Sequence, residues 1–120
     1  MGKTILTVDD SALVRRQMRI ILEDEGYTVF EAATGKQGIE LVERGDVDLV
    51  IADQHMPEMT GLQMLEKLRT DGHRTPVVFL TTEASASMVE AGRRHQASAW
   101  MVKPMKPALL LKAIAKLTQS

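Results

Sequence analysis

The sequence predicts an α/β domain built on a five-stranded parallel sheet, doubly wound with helices on both faces. Two observations lead there. Five short runs rich in β-branched residues recur along the 120 residues, and segments with helical apolar period separate them. Helix start and stop signals then fall at the boundaries between the two kinds of segment. Strands joined by helices run parallel and cross over right-handed, so both sheet faces are covered.

The elements follow in order. TILTV (4–8) is the first strand, and Ser11 is placed to cap a helix with Val14, Met18, Ile21 and Leu22 on one face. Gly26 suits a left-handed end to that helix. TVFEA (28–32) is the second strand, and its Glu31 favours an edge position. TGKQ (34–37) has the Thr-x-x-Gln pattern of a capping box; Leu41 and Val42 mark the buried face, and Gly45 the end. DLVIA (48–52) is apolar enough for the sheet centre. TGLQ (60–63) repeats the capping pattern before Met64, Leu65 and Leu68. PVVFL (76–80) precedes a helix with Met88, Ala91 and Gly92 on its apolar face. AWMV (99–102) precedes a helix with Pro107 in its first turn and Leu110, Leu111, Ile114 and Leu117 inward. The expectation is one domain over 1–120, with no linker or low-complexity tract.

Composition narrows the function. The apolar fraction of 44% and charged fraction of 26% are those of a globular protein. A net charge of −1 gives no electrostatic reason for nucleic acid or an anionic membrane as partner. The absence of cysteine excludes disulfides, thiolate metal sites and a cysteine nucleophile, and fits a cytoplasmic location. No secretory signal is expected, and no apolar run reaches the length of a membrane span.

In doubly wound sheets, ligands bind beyond the carboxyl ends of the strands. Those ends carry Asp9 and Asp10, then Asp53, then Thr81 and Thr82, then Lys103; the second strand ends in two alanines. Clustered carboxylates raise one another's pKa, and a hard divalent cation removes the conflict. Mg²⁺ prefers oxygen ligands and binds through one or two carboxylates plus phosphate. Lys103 and Thr81 suit phosphate oxygens, and an Asp carboxylate can itself form an acyl phosphate. Asp53, ending the central strand, is the best candidate nucleophile. The set fits phosphoryl transfer, which depends on positioning and charge.

VDDS, IADQHMPEMTG, LTT and MVKP, in this order at four strand ends, resemble the receiver domain of bacterial response regulators, and CheY-like single-domain members in particular. The resemblance covers Lys3 to Leu117 and implies the strand order 2-1-3-4-5. It makes Asp53 the phosphoacceptor, which also contributes to the metal site. Asp10 would be a direct Mg²⁺ ligand, Asp9 a ligand through water, and the His55 backbone carbonyl a third protein ligand. Thr81 would be the switch hydroxyl, Lys103 the phosphate-contacting lysine, and Trp100 the switch aromatic that turns inward on phosphorylation. The Lys103–Pro104 bond is expected to be cis. The partners implied are a histidine kinase as phosphodonor and a downstream protein target docking on the face of helix four, strand five and helix five. No direct nucleic-acid or membrane contact is implied, and a monomer is expected. The protein would catalyse only its own phosphorylation and dephosphorylation. Chemotaxis is the leading role; a receiver excised from a longer regulator or hybrid kinase, and a phosphorelay shuttle, are the alternatives.

Duller readings stand beside these. A lone Asp at a strand end is usually a turn residue or cap. The His55 side chain reads as solvent-facing, although with Glu83 it could modulate how water reaches the acyl phosphate. His73 and His95 lack metal-ligand spacing, and GKQG (35–38) lacks the ending of a phosphate loop. Met101, Met105 and Leu109 could add to a partner surface. An aspartate-nucleophile phosphatase would resemble Asp-x-Asp after the first strand, whereas the pair here is adjacent. A flavin or nucleotide carrier of similar fold lacks its aromatic stack and Gly-rich loop here. One departure from the family is Gln96, where a left-handed Gly usually closes helix four; either Gln96 takes that conformation at a strain on the order of 1 kcal/mol, or the helix ends differently.

Overall fold

The computed structural model describes residues 2–119. Strands β1 (Thr4–Val8), β2 (Thr28–Ala32), β3 (Leu49–Ala52), β4 (Val77–Thr81) and β5 (Ala99–Val102) alternate with helices α1 (Ala12–Asp24), α2 (Gly35–Glu43), α3 (Gly61–Thr70), α4 (Ala86–Arg94) and α5 (Pro107–Thr118). All neighbouring strands pair parallel, in the order β2-β1-β3-β4-β5. The β3 and β4 runs start one residue later than the apolar pattern suggested, and β4 extends to Thr81. Thr81 therefore ends its strand rather than following it, and it is fully buried.

Two apolar layers hold the sheet. Leu6, Val50, Val77 and Phe79 face Met64, Leu65 and Leu68 of α3 on one side. Ile5, Leu49, Ile51 and Val78 meet Met18 and Leu22 of α1 and Leu110 and Ile114 of α5 on the other. Among the described residues, no helix is long and apolar enough to cross a membrane.

The helix caps follow the local code with one adjustment. Thr60 and Gln63 form the full capping box at α3. At α2 the Thr34 hydroxyl accepts from the Gln37 amide, but Gln37 Oε1 accepts from the Ala33 amide, one residue earlier than a box requires.

Helix α4 ends as α1 does. The Ala97 amide donates to the Gly92 carbonyl and the Gln96 amide to Arg93, which puts the residue after the cap in the left-handed region. At α1 that residue is Gly26; at α4 it is Gln96, with φ 67°. The strain there is offset by two contacts. Arg69 donates to the Gln96 carbonyl at 3.0 Å, and Arg74 donates to its side-chain oxygen at 3.0 Å. A glycine could not offer the second bond.

Candidate functional site

Strand register assembles the rim. Val8 pairs with Ala52, and Ala52 with Phe79, while Thr81 pairs with Val102. Hydrogen bonding continues one residue beyond: the Asp53 amide donates to Val8, the Asp9 amide to Ala32, and the Lys103 amide to Thr81. Asp9, Asp53 and Lys103 are thus held by backbone before any side chain acts.

The Lys103 ammonium lies 2.8 Å from Asp53 Oδ2 and 3.2 Å from Asp9 Oδ2. Asp53 Oδ1 accepts from the His55 amide at 3.0 Å, and Asp9 Oδ1 from the Ser11 amide at 2.9 Å. Burial pushes the Asp53 carboxyl up, but hydrogen bonds from Lys103, the His55 amide and Thr81 together outweigh it and hold the group below its ordinary value. At Asp9 burial prevails over the Ser11 and Lys103 bonds, and its carboxyl is raised. Lys103 is pushed down by burial, yet its bonds and attraction to the two carboxylates leave it raised. These contacts favour the ionised form of Asp53, whereas burial disfavours the charge on Asp9.

The three carboxylates do not behave alike. Asp9 and Asp53 are buried and share Lys103, while Asp10 is exposed. Among the described residues, no three His, Asp or Glu side chains form a ready-made metal cage. The three strand-end carboxylates thus divide into two that are buried and one that is exposed. The donor set still fits Mg²⁺, which seldom uses an all-protein cage and keeps water and phosphate among its ligands. Two carboxylates on one ammonium, with Asp10 adjacent in sequence, leave excess negative charge for a hard cation to neutralise.

Above the pair, His55 Nε2 stands 3.2 Å from Glu83 Oε1, so the loops after β3 and β4 touch across the rim. The Thr81 hydroxyl accepts from the Glu83 amide at 3.3 Å, and the Glu83 carbonyl accepts from Trp100 Nε1 at 2.7 Å. One peptide segment is therefore held by Thr81 at its amide and by Trp100 at its carbonyl. The indole stacks on Phe79, with ring centroids 4.5 Å apart and planes at 18°. It also fills the space beside Gly92, where a Cβ would lie 2.8 Å from the ring. Trp100 is thus held by Phe79, by the close approach of Gly92 and by the Glu83 carbonyl.

Three residues of the site escaped the sequence pattern. Gln54 is buried; its side-chain oxygen accepts from Leu62 and its carbonyl from Gly61, which fastens the start of α3 to the residue after Asp53. A polar residue next to a strand-end Asp was the available signal. Gly61 lies so close that a Cβ would strike the Asp53 carbonyl and sit 2.7 Å from the Phe79 ring. Gly61→Ala is expected to cost roughly 1–3 kcal/mol by overpacking, read by urea melts, and to displace Asp53. Arg15 donates to the Asp9 carbonyl at 2.6 Å. His73 and His95 bind nothing at the rim; His95 caps α4.

Comparison with known proteins is decisive on family. The model for "Response regulator receiver domain" matches residues 5–115. The chain belongs to that family. Receivers are the signalling-switch modules of two-component response regulators. The transcriptional regulatory protein SrrA of Staphylococcus aureus (strain NCTC 8325 / PS 47) is 33% identical over 123 residues, covering 100% of this receiver and 51% of that protein. The receiver thus spans about half the length of the curated relatives it matches. The chemotaxis protein CheY4 of Vibrio cholerae, crystallised at low pH, superposes with TM-score 0.90 at 34% identity, covering 98% of this chain and 99% of that one. A CheY-like receiver protein from Methanospirillum hungatei JF-1 gives TM-score 0.92 at 32% identity, with 99% and 96% covered.

Proposed function

We propose that this receiver is a phosphorylation-activated switch that takes a phosphoryl group from a histidine kinase onto Asp53. The Lys103 ammonium shared by buried Asp53 and Asp9 carries the reading. It keeps Asp53 ionised and waits where phosphoryl oxygens would arrive. An Asp53 carboxylate oxygen attacks phosphorus, and the P–N bond of the donor's phosphohistidine breaks with its electron pair leaving on the imidazole. Asp10, the Asp53 carboxylate and the His55 carbonyl would hold Mg²⁺ directly and Asp9 through water. Mg²⁺, when bound, neutralises charge on the transferring group. Lys103 then exchanges one carboxylate contact for the phosphoryl oxygens.

The added charge of about −1.5 to −2 also draws the Thr81 hydroxyl. Thr81 must then release the Glu83 amide, so the Glu83 segment and the Trp100 bond to it respond together. The face of α4, β5 and α5, with Val102 and Leu109 exposed on it, is the proposed surface for the downstream protein. His55 and Glu83, touching across the rim, modulate the entry of donor and of water.

We place the protein in the cytoplasm as a monomer that signals by protein contact. Near-complete mutual coverage with the chemotaxis protein CheY4 favours a chemotaxis-type role. The half-length match to SrrA favours a receiver within a longer regulator.

Acetyl phosphate with Mg²⁺ should add one phosphoryl group to the peptide containing Asp53, and EDTA should prevent it. A label mapped to another peptide would overturn the assignment. Trp100 is the only tryptophan, so its emission reports one site. It should change on phosphorylation, because the indole N–H is bonded to the loop that Thr81 moves. Unchanged emission would remove Trp100 from the switch.

A further inference from the structure

The metal-binding role given to Asp10 requires its carboxylate to be aimed, yet no side chain aims it. Among the described residues no hydrogen bond or ion pair holds that exposed carboxylate. The Asp9 side chain is fixed by the Ser11 amide and Lys103, but the direction of Asp10 depends on the backbone alone.

That backbone is gripped at one atom by Arg15. Its Nη1 donates to the Asp9 carbonyl at 2.6 Å, the oxygen of the peptide that joins the two aspartates. Its Nε donates to Glu31 on β2 at 3.0 Å, and Arg19 holds the other oxygen of Glu31 at 2.6 Å. The planar guanidinium therefore spans from the edge strand to the Asp9–Asp10 peptide. The position is otherwise a poor one for a cation: it lies in the first turn of α1, at the positive end of the helix dipole. Glu31 offsets that charge, and its own carboxyl is held below the ordinary range by the Arg19 bond first and by Arg15 next, against burial.

We propose that Arg15 is a positioning residue for divalent-cation binding, acting through the Asp9–Asp10 peptide and braced by Glu31. The inference rests on the Mg²⁺ reading above. It reverses the sign that simple electrostatics gives. A nearby cation should repel Mg²⁺, so removing Arg15 should tighten binding if charge alone mattered. If Arg15 aims the loop, removing it weakens binding.

The test is calorimetric titration of Mg²⁺ into unphosphorylated protein, with a thermal melt of each variant. Arg15→Met is expected to weaken Mg²⁺ about tenfold, the usual effect of losing a group that orients a ligand. Arg19→Met removes the same charge from the same helix and the same Glu31 partner, but no bond to Asp9. It should stay within about twofold of wild type, well below the orienting effect. Arg15→Lys keeps the charge, but its single ammonium will favour the Glu31 carboxylate, the stronger acceptor. It should therefore weaken Mg²⁺ as Arg15→Met does, and it carries the test if Arg15→Met fails to fold. Equal or tighter binding by Arg15→Met overturns the proposal, and so does wild-type affinity in Arg15→Lys. Wild-type protein that binds no Mg²⁺ overturns the metal reading itself, and the two failures are told apart by that one control.

Discussion

Asp53→Asn is expected to abolish phosphoryl uptake from acetyl phosphate, a loss of at least ~10²-fold, while leaving the fold intact. An amide oxygen is too poor a nucleophile to form the acyl phosphate. The substitution is otherwise mild. The Asn side-chain oxygen can still accept from the His55 amide, and Lys103 keeps Asp9 as its partner. One of two buried carboxylates is gone, which eases their mutual repulsion. The variant should melt close to wild type and lose the Trp100 emission response to acetyl phosphate while the indole stays stacked on Phe79. Mass mapping after acetyl phosphate and Mg²⁺ decides it. Modification persisting in Asp53→Asn would move the phosphoacceptor elsewhere and remove the basis for the switch.

Lys103→Met should have the largest effect on stability. It leaves Asp9 and Asp53 buried side by side with no cation between them. Breaking a buried ion pair by removing one partner costs on the order of 3 kcal/mol. For a domain of this size that lowers the melting temperature by about 10 °C. Mg²⁺ should restore part of the loss, because it supplies the missing positive charge to the same carboxylates. A calorimetric scan with EDTA and with Mg²⁺ tests both statements; a variant as stable as wild type in EDTA would show that the ion pair is not holding the rim.

The wild-type pH dependence should agree in sign. Lys103 is raised in the folded state, so its contribution is fully present below its unfolded value of about 10.4 and is lost as pH rises through the folded value. Asp53 is lowered, so its contribution is present above about 3.9 and is lost as pH falls through its folded value. Asp9 is raised and opposes this on the acid side, which makes the acid limb shallower than Asp53 alone would give. Lys103→Met should lack the alkaline limb due to this lysine.

Much of this protein was legible along the chain. Strands and helices differ in period, and each period is set within a few residues, so the βα alternation could be read directly. The residue after a parallel strand lands on the carboxyl rim whatever its partners are. That is why residue order alone gathers Asp9, Asp10, Asp53 and Lys103 there, with Thr81 at the last position of β4. Gln96 was also legible, as a helix end with no glycine to close it, to be met by strain or by a different ending. What relieves it was not: Arg69 and Arg74 reach it from 27 and 22 residues away.

The same limit explains the rest. That Asp9 is buried and Asp10 exposed depends on how α1 packs on the sheet. The place of the Trp100 indole depends on Gly92 and Phe79, brought beside it by helix packing and by strand pairing. Arg15 meets Glu31 only because β1 lies between β3 and the edge strand, and it meets the Asp9 carbonyl only because α1 begins where it does. Such contacts depend on register and crossing angle, which no local period encodes. Residue order was enough to identify the chemical groups at the rim; only the packed sheet and its helices decide which carboxylates are buried against Lys103 and which is left exposed.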